Sequence, residues 1–379
     1  SSFLQLSVRS LNKVRAFSTA EAGIEYYRWH LAHAPQDFKD GTGNPGPYVH
    51  NYYDKDGTLI GSFSLMVTPP PAGSTVVTIR SSGFPAADPS ITKVIEVKMA
   101  IPSLARFSVA ANADIRFGAG TEVYGPLHSN GGIRFDGVAY NSVTSAKASY
   151  DDPDHSGGNE FAVHTHTTPV DPLPPAAVPA RTDVFKAGRE FPVPAIDFNG
   201  ITQDLANIKA AASSSGYYKG PSGAKGYELI LKANDTFDLH KVTVVMSPPG
   251  NCISNGASGW GTWSINTTSS VAADVAFPTN GLIFIEDDLW VRGQINTARL
   301  TIAAGRFPAN PTTDVSITTN NDVLYTNYDG QDVIGLMAQK NMNVGLVSED
   351  DLRIDAAVIA KEGRGGRYHY RPSSQGQGC

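Results

Sequence analysis

Histidine and aspartate crowd one short stretch of the chain, with Asp151, Asp152, Asp154, His155, His164 and His166 close together. Imidazole nitrogens and a carboxylate form the usual ligand set of zinc and related divalent ions. In a strand, residues two apart face the same side, so His164 and His166 can reach one cation, and a neighbouring carboxylate can complete the set. His155, His164 and His166 are therefore the candidate metal ligands, for a structural ion; no other cofactor is indicated. The same residue types are equally at home in an exposed polar loop. A second chemistry is attack on a glycosidic bond by two acids, for which Asp287, Asp288, Asp350, Asp351 and Asp355 are available. Adjacent aspartates in a strand point to opposite faces, however, and at the corner of a turn aspartate is first of all a turn former. The oxygen-rich turn Asp54-Lys55-Asp56-Gly57 lacks the twelve-residue loop of a calcium-binding hand. No nucleophile elbow, phosphate loop or cysteine and histidine dyad occurs, so the chain reads as non-enzymatic. Trp260 and Trp263, set between glycine-rich turns, are the candidate ligand surface, through stacking on a sugar or a partner protein. Burial in a core is the other reading of that pair.

The elements that must position these residues are short and turn-rich. Of 379 residues only 17% are charged, while glycine (37) and proline (25) are plentiful, a mixture suited to β structure with many turns. The length allows two cores or one elongated one. A net charge of −6 does not indicate an electrostatic grip on nucleic acid by the chain as a whole and leaves local basic patches open. No run of eighteen apolar residues occurs, and no signal peptide is readable. Cys252 and Cys379 have no metal-type spacing, and their pairing is open.

Residues 1–35 read as one long helix ended by Pro35. Leu4, Val8, Leu11, Val14, Phe17, Ala20, Ile24, Tyr27 and Leu31 recur in steps of three and four, which predicts one continuous apolar stripe. At 1.5 Å per residue the helix is about 50 Å long, more than a small core needs, so part of the stripe is expected to meet another chain. Strands over 48–53, 59–67, 75–80 and 92–99 follow, forming an antiparallel head within 36–104. From 105 to 148 the texture changes: Ile115-Arg116-Phe117 recurs as Ile133-Arg134-Phe135, each followed by a glycine-bearing turn. Short strands at such a period predict β-solenoid coils. Two coils alone are not stable, so the rest must come from the short apolar runs of 281–371. The span 149–280, with a proline-rich stretch, a short helix over 201–212 and further strands, reads as an insertion between coils, and 372–379 as a flexible tail.

The stretch RAFSTAEAGIEYYRWHLAH, from Arg15 to His33, resembles the N-terminal helix of bacterial type IV pilins, and in particular of PilX-type minor pilins; Ala20, Glu21, Ala22, Gly23, Ile24 and Glu25 carry the match. The segments GLIFIEDDLWVRGQINTARLTIAAG, VIGLMAQKNMNVG and DLRIDAAVIAKEGRGGRYHY resemble the β-helical region of large members of that group. The family's membrane-spanning half and its assembly glutamate are not among these residues. Glu21 is not the equivalent of that glutamate. Ser1 thus reads as lying partway down a longer helix, and 365–370 as a strand of a coil that the chain does not finish. The resemblance implies an α+β, mainly β protein: a pilin-like helix with an antiparallel sheet, then a β-solenoid, or β-helix, with a long insertion. It further implies a structural minor pilin of an extracellular, cell-surface pilus, with other pilin subunits as partners and a glycan or cell-surface ligand on its outer face. A membrane would be met only through the segment missing from this chain. A secreted β-helical carbohydrate-active enzyme and a surface-layer or matrix protein are the rival expectations.

Overall fold

The computed structural model describes residues 2–70, 76–100, 104–152, 157–247, 252–254, 263–367 and 370–372, with side chains except at 2–4, 105, 199–203, 252–254 and 370–372. The chain divides into two compact units, Ser1–Ser103 and Leu104–Cys379. It is mainly β, and no helix among the described residues is long and apolar enough to cross a membrane.

The first unit is a helix, α1 (Ser2–His33), on a meander of β1 (Tyr48–Tyr53), β2 (Leu59–Thr68), β3 (Val76–Pro85) and β4 (Lys93–Ala100), every neighbouring pair antiparallel. At the turn between β1 and β2, Asp54 Oδ1 accepts the N–H groups of Asp56 (2.9 Å) and Thr58 (2.8 Å). This oxygen-rich turn therefore uses its first carboxylate to close a hairpin. Ile24 and Tyr27 of α1 join Tyr48, Phe63, Leu65, Val77 and Ile79 in the core of the unit.

The face that α1 buries is not the continuous stripe expected from hydrophobicity. Ala16, Thr19, Ala20, Gly23, Ile24 and Tyr27 are buried, whereas Val8, Leu11, Val14 and Phe17 turn outward, each at least 46% exposed. Leu31 is half-buried, and the side chain of Leu4 lies outside the described residues. Close to Gly83 and Gly23 side-chain size decides which positions face the sheet, while Ile24 and Tyr27 fill the core beyond. A Cβ on Gly83 of β3 would lie 2.2 Å from the Ala16 carbonyl oxygen and 2.4 Å from the Ala20 nitrogen. One on Gly23 would lie 2.3 Å from Ser81 Oγ. Helix and sheet meet backbone to backbone along this seam, where only Ala, Gly, Ser and Thr fit, and Val14 and Phe17 are excluded from it.

The second unit is built mostly from short parallel strands. Ile115–Phe117 lies on Ile133–Phe135 in register, Ile115 opposite Ile133 and Phe117 opposite Phe135, with the phenylalanine rings 4.8 Å apart. Its largest sheet has nine strands in the order Arg189–Glu190, Val143–Ser145, Leu127–Ser129, Val109–Ala111, Ala357–Ala360, Val333–Ala338, Arg299–Ala304, Leu282–Ile285 and Tyr217–Lys219. Every pair in it is parallel. The two expected pieces thus form one ladder, joined where Val358 lies opposite Val109. A second ladder runs through Gly226–Lys232, Leu289–Ile295, Ile317–Thr318, Met342–Val344 and Gly365–Arg367, also parallel. Alternate residues of the strands point between the ladders into one core containing Ile115, Ile133, Phe135, Leu229, Ile283, Ile285, Leu289, Ile302, Ile334 and Leu336.

The span 149–280 is less of an insertion than its local pattern suggested. Tyr217–Lys219 pairs with Leu282–Ile285, and Gly226–Lys232 with Leu289–Ile295, so both are rungs of the ladders. What projects is the antiparallel pair Thr236–Val245 and Ile265–Ala276, reached through a hairpin at Asn234-Asp235, where Asp235 has φ +60°. Local turn chemistry announces the hairpin, while the parallel partners lie far along the chain and leave no local sign.

The strand order also explains the second helix. The chain leaves one end of the nine-strand sheet at Arg189–Glu190 and must rejoin the other end at Tyr217–Lys219, about 40 Å away at some 4.8 Å per strand. α2 (Asn199–Ser215) covers about 25 Å of that return at 1.5 Å per residue. Its Leu205 and Ala212 pack on Ala110, Phe284, Ala303 and Ile359, the residues of the sheet that point away from the central core. Substituting Gly83→Ala should lower the stability of the first unit by about 1–3 kcal/mol through overpacking of the seam. Hydrogen exchange of the β3 amides checks this. Unchanged protection there would mean that the helix does not sit on Gly83.

Candidate functional site

The expected metal ligands converge in part. Val163–His164 lies on Ile133–Phe135 with His164 opposite Arg134, and the antiparallel pair Ser149–Tyr150 and Glu160–Phe161 carries Asp152 to the same place. One ligand atom each from Asp152, His164 and His166 all lie within 4.8 Å of one another. His155 and Asp154 lie outside the described residues, and Asp151 is exposed. His164 is 1% exposed. Its Nδ1 sits 3.1 Å from the Phe161 carbonyl oxygen, an acceptor only, so Nδ1 carries the proton. Nε2 then faces Asp152 Oδ2 at 3.6 Å and makes no hydrogen bond.

Around this triad runs a shell of charge that the sequence did not single out. Arg134 places Nη1 3.3 Å from Asp152 Oδ2 and donates from Nε to Asp136 Oδ2 at 2.8 Å. Asp136 Oδ1 accepts the His166 N–H at 2.8 Å, and Glu160 Oε2 accepts the Asp152 N–H at 3.1 Å. The available signal was the alternation in Ile133-Arg134-Phe135: with Ile133 and Phe135 pointing inward, Arg134 must point out toward the neighbouring strand.

The aspartate pairs are engaged at the corners between strands. Asp287 accepts the Ser222 N–H (2.7 Å) on one oxygen and Arg306 Nη2 (2.9 Å) on the other, while Asp288 Oδ1 accepts the Ser316 N–H at 2.8 Å. Asp355 accepts the Tyr325 N–H at 3.0 Å and Arg353 Nε at 3.1 Å; Asp350 and Asp351 are exposed. Each bonded carboxylate ties one turn to the next. Glu286 likewise holds Lys209 of α2 and the Tyr218 hydroxyl. Burial pushes the Asp288 carboxyl up to about 6, with the neighbouring Asp287 charge adding to the rise and the Ser316 N–H opposing it.

Of the aromatic pair, Trp260 lies outside the described residues. Trp263 is half-buried with φ +43°, and its carbonyl oxygen accepts Trp290 Nε1 (2.8 Å) and Asn320 Nδ2 (2.6 Å), which anchors the start of the Ile265–Ala276 strand.

No family model matches the chain, and no curated protein does. Among solved structures it is similar to the competence-associated pilin ComZ from Thermus thermophilus, with 11% identity over 97% of this chain and 90% of that one and a TM-score of 0.24. A likeness that slight carries neither fold nor function.

The Asp288 environment gives a pH dependence with a definite sign. Its native value of about 6 lies above the ordinary 3.8, so the fold binds the proton more tightly than the unfolded chain does. Its contribution is therefore most favourable below about pH 4 and is lost as pH rises through 6, by about 1–3 kcal/mol. Asp288→Asn keeps an oxygen for the Ser316 N–H without the charge. The variant should gain stability over wild type between pH 4 and 7 in urea unfolding, and a constant difference across that range would refute the assignment.

Proposed function

We propose that the chain is a non-enzymatic subunit of an extracellular type IV pilus-like filament, of the large minor-pilin kind. The second unit is read as a β-solenoid, on the strength of its in-register parallel ladders around one core. In this reading α1 holds the subunit in the filament, and the solenoid is what the filament displays at the cell surface.

The observation that carries the proposal is the second face of α1. One face of the helix is taken up by its own sheet, yet Val8, Leu11, Val14 and Phe17, in steps of three, stand in water, from 46% to 60% exposed. Together they present on the order of 400 Å² of apolar surface, in the size range of an interaction patch. At about 25 cal/mol per Å² its burial is worth roughly 10 kcal/mol before the entropy of association is subtracted. A helix with two apolar faces, one covered by its own fold and one open, suits a subunit that packs against the helices of its neighbours. The Arg15 to His33 resemblance to type IV pilins supports the same occupant.

The double substitution Leu11→Asp with Val14→Asp tests this, because both side chains point away from the sheet and the fold should tolerate the change. Purified variant should melt within about 2 °C of wild type. Incorporation into filaments, read by immunoblot of sheared pili, should fall at least tenfold. Normal incorporation would rule out α1 as the assembly element.

A further inference from the structure

We infer that Asp152, His164 and His166 form a binding site for one divalent transition-metal ion of the zinc type, clamping the irregular segment that follows Val163–His164 onto the ladder. Several independent features of the cluster lead there.

The first is the state of His164. A side chain this deeply buried is expected to satisfy both ring nitrogens. Here Nδ1 is fixed as the donor by the Phe161 carbonyl, and the bare Nε2 lone pair is aimed into the cluster with no hydrogen bond. A carbonyl on one nitrogen and a free lone pair on the other is the arrangement that orients a metal-bound histidine.

The second is spacing. Ligand atoms about 2.0–2.1 Å from a tetrahedral ion stand about 3.3 Å apart. His164 Nε2 and Asp152 Oδ2 are already 3.6 Å apart. His166, half-buried just beyond the strand, has its ring centroid 5.1 Å from that of His164 and a ligand atom within 4.8 Å of the other two, so a side-chain rotation of up to about 1.5 Å brings it to the ion.

The third is charge. Arg134 is paired with both Asp136 and Asp152, two carboxylates to one guanidinium. A cation held by Asp152 brings further positive charge to this pair of carboxylates. Arg134 then stays on Asp152 as an outer partner, and Asp136 holds the backbone of His166, so both outer residues orient ligands. Two imidazoles and one carboxylate favour zinc over calcium or magnesium, which take oxygen ligands. The half-buried side of His166 leaves the fourth position to water.

The test uses the full chain, stripped with chelator and titrated with Zn²⁺ against a chromophoric competitor. Co²⁺ serves as a second probe, because a tetrahedral site gives it intense visible absorption. Wild type should bind one equivalent at micromolar affinity or better, and saturation should raise its melting temperature by about 5 °C. His166→Ala, at a half-buried position, should fold like the metal-free wild type, weaken binding at least tenfold and abolish the cobalt spectrum. Asp152→Asn should act in the same direction. Failure of wild type to bind either ion at these concentrations would overturn the inference. So would affinity unchanged in His166→Ala.

Discussion

A parallel strand cannot pair with the strand that follows it until the chain has travelled back to its starting side, and this requirement shapes the whole second unit. Each pass across the ladders must be followed by a corner, a second wall and a return, so the strands are short and the corners many. At each corner backbone N–H groups point out of the ladder and need acceptors. Asp287, Asp288 and Asp355 supply them to the adjacent turn, which is why aspartates that could be read as a catalytic pair are instead bonded to Ser222, Ser316 and Tyr325. The same need to return accounts for α2, whose length is set by how far the chain must go to reach the other end of the nine-strand sheet.

The first unit works under a different constraint, the distance between helix and sheet. Gly83 and Gly23 bring two backbones together, and at this contact the helix presents Ala16, Ala20 and Gly23 to the sheet. Its larger apolar residues are then forced outward. The open apolar face is thus a consequence of the close seam: a helix packed by bulky side chains would have used Val14 and Phe17 on its own core and had little left to offer a neighbour.

Much of this was legible in the residues, and the parts that were not share a cause. The helix over Ser2–His33, the four strands of the meander and the repeat of Ile115–Phe117 at Ile133–Phe135 depend on local pattern and stand close to where the pattern put them, except that the third strand runs on to Pro85 instead of ending at 80. The helix stripe was misread because periodicity ranks side chains by hydrophobicity, and the Gly83 seam selects them by size. Tyr217–Lys219 and Gly226–Lys232 were read as insertion because their partners, Leu282–Ile285 and Leu289–Ile295, are distant in the chain. The reading that His164 and His166 share one side took both to lie in a strand; the strand ends at His164, and His166 is held by its N–H bond to Asp136 instead. The parts played by Arg134 and Asp136 in that cluster were not legible, since they depend on which strand lies beside Val163–His164.

The joint at which Val358 meets Val109 closes the ladder across about 250 residues of sequence, the kind of non-local pairing that forms late. Ribosomes and export machineries deliver a chain from its N-terminal end. From the time Val109–Ala111 emerges until Ala357–Ala360 follows it, one edge of the half-built ladder carries unpaired N–H and C=O groups facing whatever is nearby. Until that joint forms, the open edge is a template on which another chain can pair. Truncations that remove 357–360 should leave that edge permanently open and prone to pairing with other chains.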